Sequence, residues 1–417
     1  MLQTSDARSS EVSHMRRFFT VVFKVVKIVG LVFVSAAALI VMGFWADHAR
    51  GTTLPKPTGP FDVGRLSYFW QDSRHFDTMA LKPETRRQLV AWVWYPAVHG
   101  QTMAVADYLP QPWRTAMENQ MGVVLSSFLM RDLSKVRSHS FANPDVSPKQ
   151  GTYPLVLMRA GLSALTTDYT TIAEDIASHG YIVVGIDAPY RSFIVVLPDG
   201  SVVPRAPQNN ADLLSGPPQE KLAIKLVQAW SADMSFALNE LARLNTSSQP
   251  SKLNGRIDMS RVGVFGHSLG GATALQFCYD DARCKAGVDI DGAPIGPVVQ
   301  KGVVQPFMFL LGDHKGEPEQ EVRSVNEHIG SIYDRLPSDR RLEVVLRDSN
   351  HLAFSDNAVL SNLLRITNDL GIVKLDGARQ LAVTGEWITK FFDVYLKGAS
   401  PSVLDNSSQT HEIERVR

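Results

Sequence analysis

Seven short β-rich runs recur along this chain, with stretches of helical spacing between most of them. That alternation restricts the fold to class α/β, a mostly parallel sheet with helices on both faces. The runs are 88–96, 153–158, 181–187, 261–266, 286–291, 305–312 and 340–346. Helices are expected over 167–178, 219–244, 272–279 and 385–396. Two segments break the rhythm, 101–150 and 192–216. Both exceed the usual connection of about 4 to 6 residues and are expected either to cap a site or to form surface insertions.

The rest of the chain adds boundaries. A length of 417 residues with 44% hydrophobic and 20% charged content is enough for a sizeable core. Lys plus Arg equals Asp plus Glu at 42 each, so no global field recommends nucleic acid as a partner. Neither zinc-type Cys/His spacing nor a nucleotide-binding glycine loop is present, and no metal or cofactor is expected. The two cysteines, Cys278 and Cys284, either close a small disulfide loop between a helix end and the next strand or remain two buried thiols.

Residues 1–27 carry Arg8, Arg16, Arg17, Lys24 and Lys27 against Asp6 and Glu11, and residues 28–46 carry no charge. At about 1.5 Å per residue the uncharged run spans a hydrocarbon layer of about 30 Å. The expectation is a transmembrane anchor with the basic end in the cytoplasm, Trp45 at the far interface and the remainder exported. The alternative is a signal peptide followed by secretion, although its apolar region is usually only about 7 to 15 residues. Residues 47–60 read as a linker, 61–399 as the folded domain and 400–417 as a polar tail that frays.

The chemistry centres on V-F-G-H-S-L-G-G, residues 264–271. A bare G-x-S-x-G arises by chance in roughly one chain in seven at ordinary glycine and serine usage, so context has to decide. Here a predicted strand ends at Gly266, Ser268 follows, and a helix opens after it. This is the pattern of a nucleophile elbow, in which a strained turn pushes the serine Oγ out at the carboxyl edge of the sheet. A serine needs a base, and among eleven histidines His351 follows the last predicted strand and lies downstream of the serine, as this chain order requires. His267 reads as packing, and His314 and His328 are weaker candidates.

The third member is a carboxylate that fixes the histidine's tautomer. Asp289 and Asp291 sit two apart on the strand after the serine helix, Asp291 at its end, while Asp313 ends the next strand. Position alone leaves Asp291 and Asp313 open. Backbone donors for the oxyanion are expected at Leu269 and, from the loop R-A-G-L-S-A, at Leu162.

With these residues assembled, the chain resembles the α/β-hydrolases, and within them the plasma-type platelet-activating factor acetylhydrolase family and its bacterial relatives. The likeness is carried by Y-P-L-V-L-M-R-A-G-L-S-A, D-I-A-S-H-G-Y-I-V-V-G-I-D, V-G-V-F-G-H-S-L-G-G, C-K-A-G-V-D-I-D-G and R-D-S-N-H-L-A-F-S-D, spread over residues 150–360. The resemblance implies Asp291 as the acid and His351 as the base. It also implies cofactor-free hydrolysis of short-chain esters, including phospholipids with a short or oxidised acyl group at the second position. General carboxylesterase or polyester hydrolase activity is the alternative within enzymes, and a catalytically silent binding protein the alternative outside them. The one departure is Arg159-Ala160-Gly161, where relatives show His-Gly in the oxyanion loop.

Overall fold

The computed structural model describes residues 4–100, 103–248, 251–315, 318–372, 374–405 and 412–416. In chain order its strands are β1 (Thr52–Thr53), β2 (Asp62–Phe76), β3 (Arg86–Ala97), β4 (Val105–Asp107), β5 (Val136–Ala142), β6 (Tyr153–Arg159) and β7 (Ile182–Asp187). Then come β8 (Ile194–Val196), β9 (Val202–Pro204), β10 (Ile257–His267), β11 (Cys284–Ile290), β12 (Phe307–Leu311), β13 (Arg341–Leu346) and β14 (Ile413–Arg415). The α-helices are α1 (Thr4–His48), α2 (Trp113–Val124), α3 (Thr170–Ser178), α4 (Gly216–Thr246) and α5 (Leu269–Asp280), followed by α6 (Pro297–Lys301), α7 (Glu319–Tyr333), α8 (Asn357–Leu360), α9 (Asn362–Asp369) and α10 (Gly377–Lys397).

One sheet runs β1-β5-β2-β3-β7-β6-β10-β11-β12-β13-β14, with β4 paired to β5. The central pairs from β7 through β13 are parallel, and β3 joins them antiparallel. A strand covered on both faces must be apolar throughout, and β6 and β7 are buried at every position. Alternation of side chains then builds two cores. Val156 and Met158 face Ile172 and Ile176 of α3 and Trp387 and Phe391 of α10. Leu155 and Leu157 face Met234 and Leu241 of α4 and Leu275 and Phe277 of α5 on the other side. Because the strands run the same way, Arg159, His267, Ile290 and Leu311 bring their chain ends to one edge of the sheet.

The expected strands and helices are present, and the differences lie outside them. The uncharged run 28–46 is part of one longer helix, α1, whose stretch His14–His48 is long and apolar enough to cross a membrane by length and composition. Its foot is clasped by the body: Asp47 receives Arg131 Nη2 at 3.0 Å and Arg365 Nη1 at 2.8 Å, and His48 Nδ1 lies 2.8 Å from the Met130 carbonyl. Residues 47–60, read as a linker, are fastened along the domain. Thr52 and Thr53 pair with β5, Leu54 is buried, and Thr58 donates to Asp175 at 2.8 Å.

Segment 101–150 contributes no described residue to the walls of the cleft that Ser268 lines. Instead β4 and β5 extend the sheet, while Trp113 of α2 packs edge-on to Trp92 with ring centres 5.3 Å apart. Residues 101 and 102 lie outside the described residues. The tail also departs from expectation, because Ile413 is buried and β14 pairs with β13. Apolar Ile413 within a polar stretch supplies the reason. Residues 406–411 and 417 of that tail, and 1–3 of the basic segment, lie outside the described residues.

Segment 192–216 is held at its root by a buried ion cluster. Arg191, 1% exposed, grips both oxygens of Asp233 at 2.7 Å each and both oxygens of Asp77 at 2.8 and 2.6 Å. Removing the cation alone would leave the buried Asp77 without a cation and Asp233 with only Arg87 at 3.6 Å, a change that typically costs about 3–5 kcal/mol. Arg191→Met is therefore expected to lower the urea unfolding midpoint sharply. Adding Asp77→Asn and Asp233→Asn to it is expected to restore part of the loss.

Candidate active site

Ser268 stands between β10 and α5 with φ 58° and ψ −126°, a left-handed conformation for a residue that carries a side chain. Strain of this kind persists only where the surroundings over-determine it. The Ser268 N–H donates to the Ile290 carbonyl at 2.9 Å, and its own carbonyl accepts from Gly271 N–H at 2.8 Å. Two glycines make the approach possible. A Cβ on Gly266 would stand 2.1 Å from the Gly270 oxygen, and one on Gly270 would stand 2.3 Å from the Arg159 oxygen. The pattern Gly-x-Ser-x-Gly is thus a requirement of helix α5 passing against β10 and the end of β6.

Ser268 opens into a cleft of about 670 Å³ that His351, Asp291, Leu162 and Leu269 also line. Leu269, Leu162, Ile295, Leu311, Val322 and Val325 give the cleft an apolar wall, with Asp212 and Glu220 on the side formed by 192–216 and α4. Asp291 lies just after β11 at φ 52°, and its carboxylate is fully buried. His351 Nδ1 lies 2.7 Å from Asp291 Oδ2, and Gly312 N–H donates to Oδ1 at 2.6 Å. Burial pushes the Asp291 carboxyl up, yet the hydrogen bonds from His314 and His351 outweigh it and hold the group well below the usual carboxylate range.

The two aspartates of this strand go different ways. Asp289 turns back beneath the elbow, where it accepts from Gly292 N–H at 2.9 Å. There burial, with the Asp291 charge, drives its carboxyl well above the usual range. Asp313 is bound elsewhere as well: its Oδ2 accepts from Lys315 Nζ at 2.7 Å and Asp348 N–H at 3.0 Å. It braces the loop that carries the histidine and does not touch the imidazole. That loop is also clamped by Gln380 of α10, which bonds both the N–H and the carbonyl of Asn350.

His267, read as packing, is buried and has a second partner. Its ring lies 4.5 Å from that of His351, centre to centre, and its Nδ1 lies 2.7 Å from Tyr169 Oη. Burial pushes its pKa down to about 3, so the ring is neutral at ordinary pH. Tyr169 Oη in turn accepts the Gly161 N–H at 3.2 Å. Sequence reasoning missed Tyr169, and no motif marks it. His328 bonds the Pro294 carbonyl through Nδ1 at 3.0 Å, outside the cleft wall.

Arg159 turns away from the cleft. Its guanidinium lies 4.0 Å over the Trp230 ring and donates to the Ile186 carbonyl, and burial pushes its pKa down to about 10. A disulfide joins Cys278 near the end of α5 to Cys284 at the start of β11. Among the described residues no group of three or more His, Cys, Asp or Glu is arranged to hold a metal ion.

The loop expected to bind the oxyanion is therefore tied down by Tyr169 and His267 where Ala160 carries no imidazole. Tyr169→Phe would leave the buried Gly161 N–H without its partner, a loss of about 1–3 kcal/mol. Turnover of a short chromogenic ester is expected to fall roughly tenfold, with the circular dichroism spectrum unchanged. Wild-type turnover in this variant would remove Tyr169 from the support of the loop.

The sequence model of a family described as "Platelet-activating factor acetylhydrolase, isoform II" matches residues 47–197, and one described as "PET hydrolase-like" matches 223–366. Over 343 residues the chain is 25% identical to a platelet-activating factor acetylhydrolase of Canis lupus familiaris, covering 75% of this chain and 70% of that protein. It is 24% identical over 404 residues to a probable 1-alkyl-2-acetylglycerophosphocholine esterase of Arthroderma benhamiae, covering 90% and 96%. In solved structures, a ferulic acid esterase from Streptomyces cinnamoneus shares the fold, with a TM-score of 0.69 at 24% identity over 88% of this chain and all of that one. The chain is an α/β-hydrolase that resembles the platelet-activating factor acetylhydrolases, and it is a carboxylic ester hydrolase.

Proposed function

We propose that the chain is a serine esterase acting through Ser268, His351 and Asp291 on esters with short acyl groups, including phospholipids bearing a short or oxidised acyl chain. The observation that carries this reading is the 2.7 Å bond from His351 to a buried Asp291, beside a strained Ser268 on the same cleft. In the reaction His351 takes the Ser268 hydroxyl proton as Oγ attacks the ester carbonyl carbon. Asp291 keeps the imidazole in the tautomer with its proton on Nδ1 and stabilises the imidazolium. The N–H groups of Leu162 and Leu269 receive the oxyanion. Collapse of the tetrahedral species releases the alcohol, which takes the proton from His351, and leaves an acyl-enzyme. Water, activated by the same histidine, then frees the acid.

A second reading, a broader carboxylesterase or polyester hydrolase using the same triad, is favoured by the PET hydrolase-like match over 223–366. A panel of esters with two to sixteen acyl carbons and an aromatic polyester separates the two. Steep loss of kcat/KM beyond short chains supports the first reading, and a flat profile with polymer release supports the second.

Three single variants test the triad. Ser268→Ala is expected to abolish labelling by a fluorophosphonate. Asp291→Asn is expected to lower kcat by about four orders of magnitude through the wrong histidine tautomer. Asp313→Asn is expected to stay within about tenfold of wild type, because Asp313 acts only on the loop; the reverse ranking would move the acid to Asp313.

We also place α1 in a membrane as an uncleaved anchor with the esterase domain on the exported side. Its outward apolar side chains support this, as do exposed Leu125 of the turn Leu125–Leu129 and Leu363 and Ile366 of α9 on elements adjoining it. The intact chain should stay in the membrane pellet after an alkaline carbonate wash. Recovery of a shortened soluble chain would establish cleavage instead.

A further inference from the structure

Asp291 is shared by two imidazoles. His314, on the loop after β12, places Nε2 2.9 Å from Asp291 Oδ1, while His351 Nδ1 occupies Oδ2. An ionised carboxylate only accepts, so both rings must donate. His314 then carries a proton on Nε2, and His351 carries one on Nδ1, which leaves the His351 Nε2 lone pair for the serine proton. His314 also lines the cleft with part of its ring exposed.

We propose that His314 is a positioning residue of this esterase, which holds the Asp291 carboxylate in the orientation that faces His351. The proposal rests on the reading of Ser268, His351 and Asp291 given above. It follows from geometry. With Gly312 N–H and His314 Nε2 both on Oδ1, the buried carboxylate is fixed from the side away from the base. A charge-assisted bond to a fully buried carboxylate restrains its orientation more than one in solvent.

The test compares His314→Leu and His314→Gln in the full-length enzyme in detergent, with active sites counted by fluorophosphonate titration and kcat/KM for a short ester measured from about pH 4.5 to 9. Leucine removes the donor, and kcat at the pH optimum is expected to fall about tenfold or more, the usual scale for a charge-assisted bond. Glutamine keeps an amide donor at the reach of Nε2, and kcat is expected to recover to within about threefold of wild type, following the donor rather than the ring.

Loss of kcat beyond about threefold in the glutamine variant, or a leucine variant within about threefold of wild type, overturns the proposal, because a purely structural part for the ring predicts loss in both replacements. Should the leucine variant fail to fold, the glutamine variant decides by the same limit. Full activity in Ser268→Ala would overturn instead the triad reading on which the proposal stands.

Discussion

The contact on which the site depends is the one between helix α5 and the ends of β6 and β10. Two glycine positions allow backbone atoms to meet where a side chain would collide, and Ser268 adopts a left-handed conformation as the chain reverses. Everything else is arranged around that turn. The Ile290 carbonyl anchors the serine N–H, so β11 is in register with the elbow, and the residue after Ile290 is Asp291. Sheet register thereby brings Asp291 beside Ser268.

The parallel core was readable because its strands are buried on both faces and are written as runs of Val, Ile and Leu. The edge of the sheet was not. β2 has an alternating, half-exposed pattern broken by Asp72, Ser73 and Arg74, which reads as loop until β3 is there to pair with it. Likewise, 101–150 looked like a cap since its length was visible and its partners were not. What decides its place is the contact of Trp113 with Trp92 and the pairing of β5 with β2, both remote in sequence. Chain order pointed to Ser268 and His351, but which aspartate meets the histidine, Asp291 or Asp313, depends on side-chain direction at two strand ends that position cannot distinguish.

The departure Arg159-Ala160 has a structural account that residue identity alone did not suggest. A loop that binds an oxyanion must be held rigidly, because its donors have to point where charge develops. Here the rigidity comes from outside the loop, through Tyr169 on the helical turn after it and the buried His267 of the elbow. Arg159 works on the opposite side, stacked on Trp230 and bonded to the end of β7. The ties on this loop come from side chains outside the run R-A-G-L.

The same economy of placement separates two carboxyl groups only two residues apart. Both Asp289 and Asp291 are buried, so burial by itself would neutralise each of them. Asp289 meets one backbone donor and the field of its neighbour, and its neutral form is favoured. Asp291 meets two imidazoles and a backbone N–H, and its charged form is favoured. Asp291, just beyond β11 at φ 52°, meets the two imidazoles, and Asp289 meets neither. That charge lies 2.7 Å from His351 Nδ1, where the proposed mechanism forms an imidazolium.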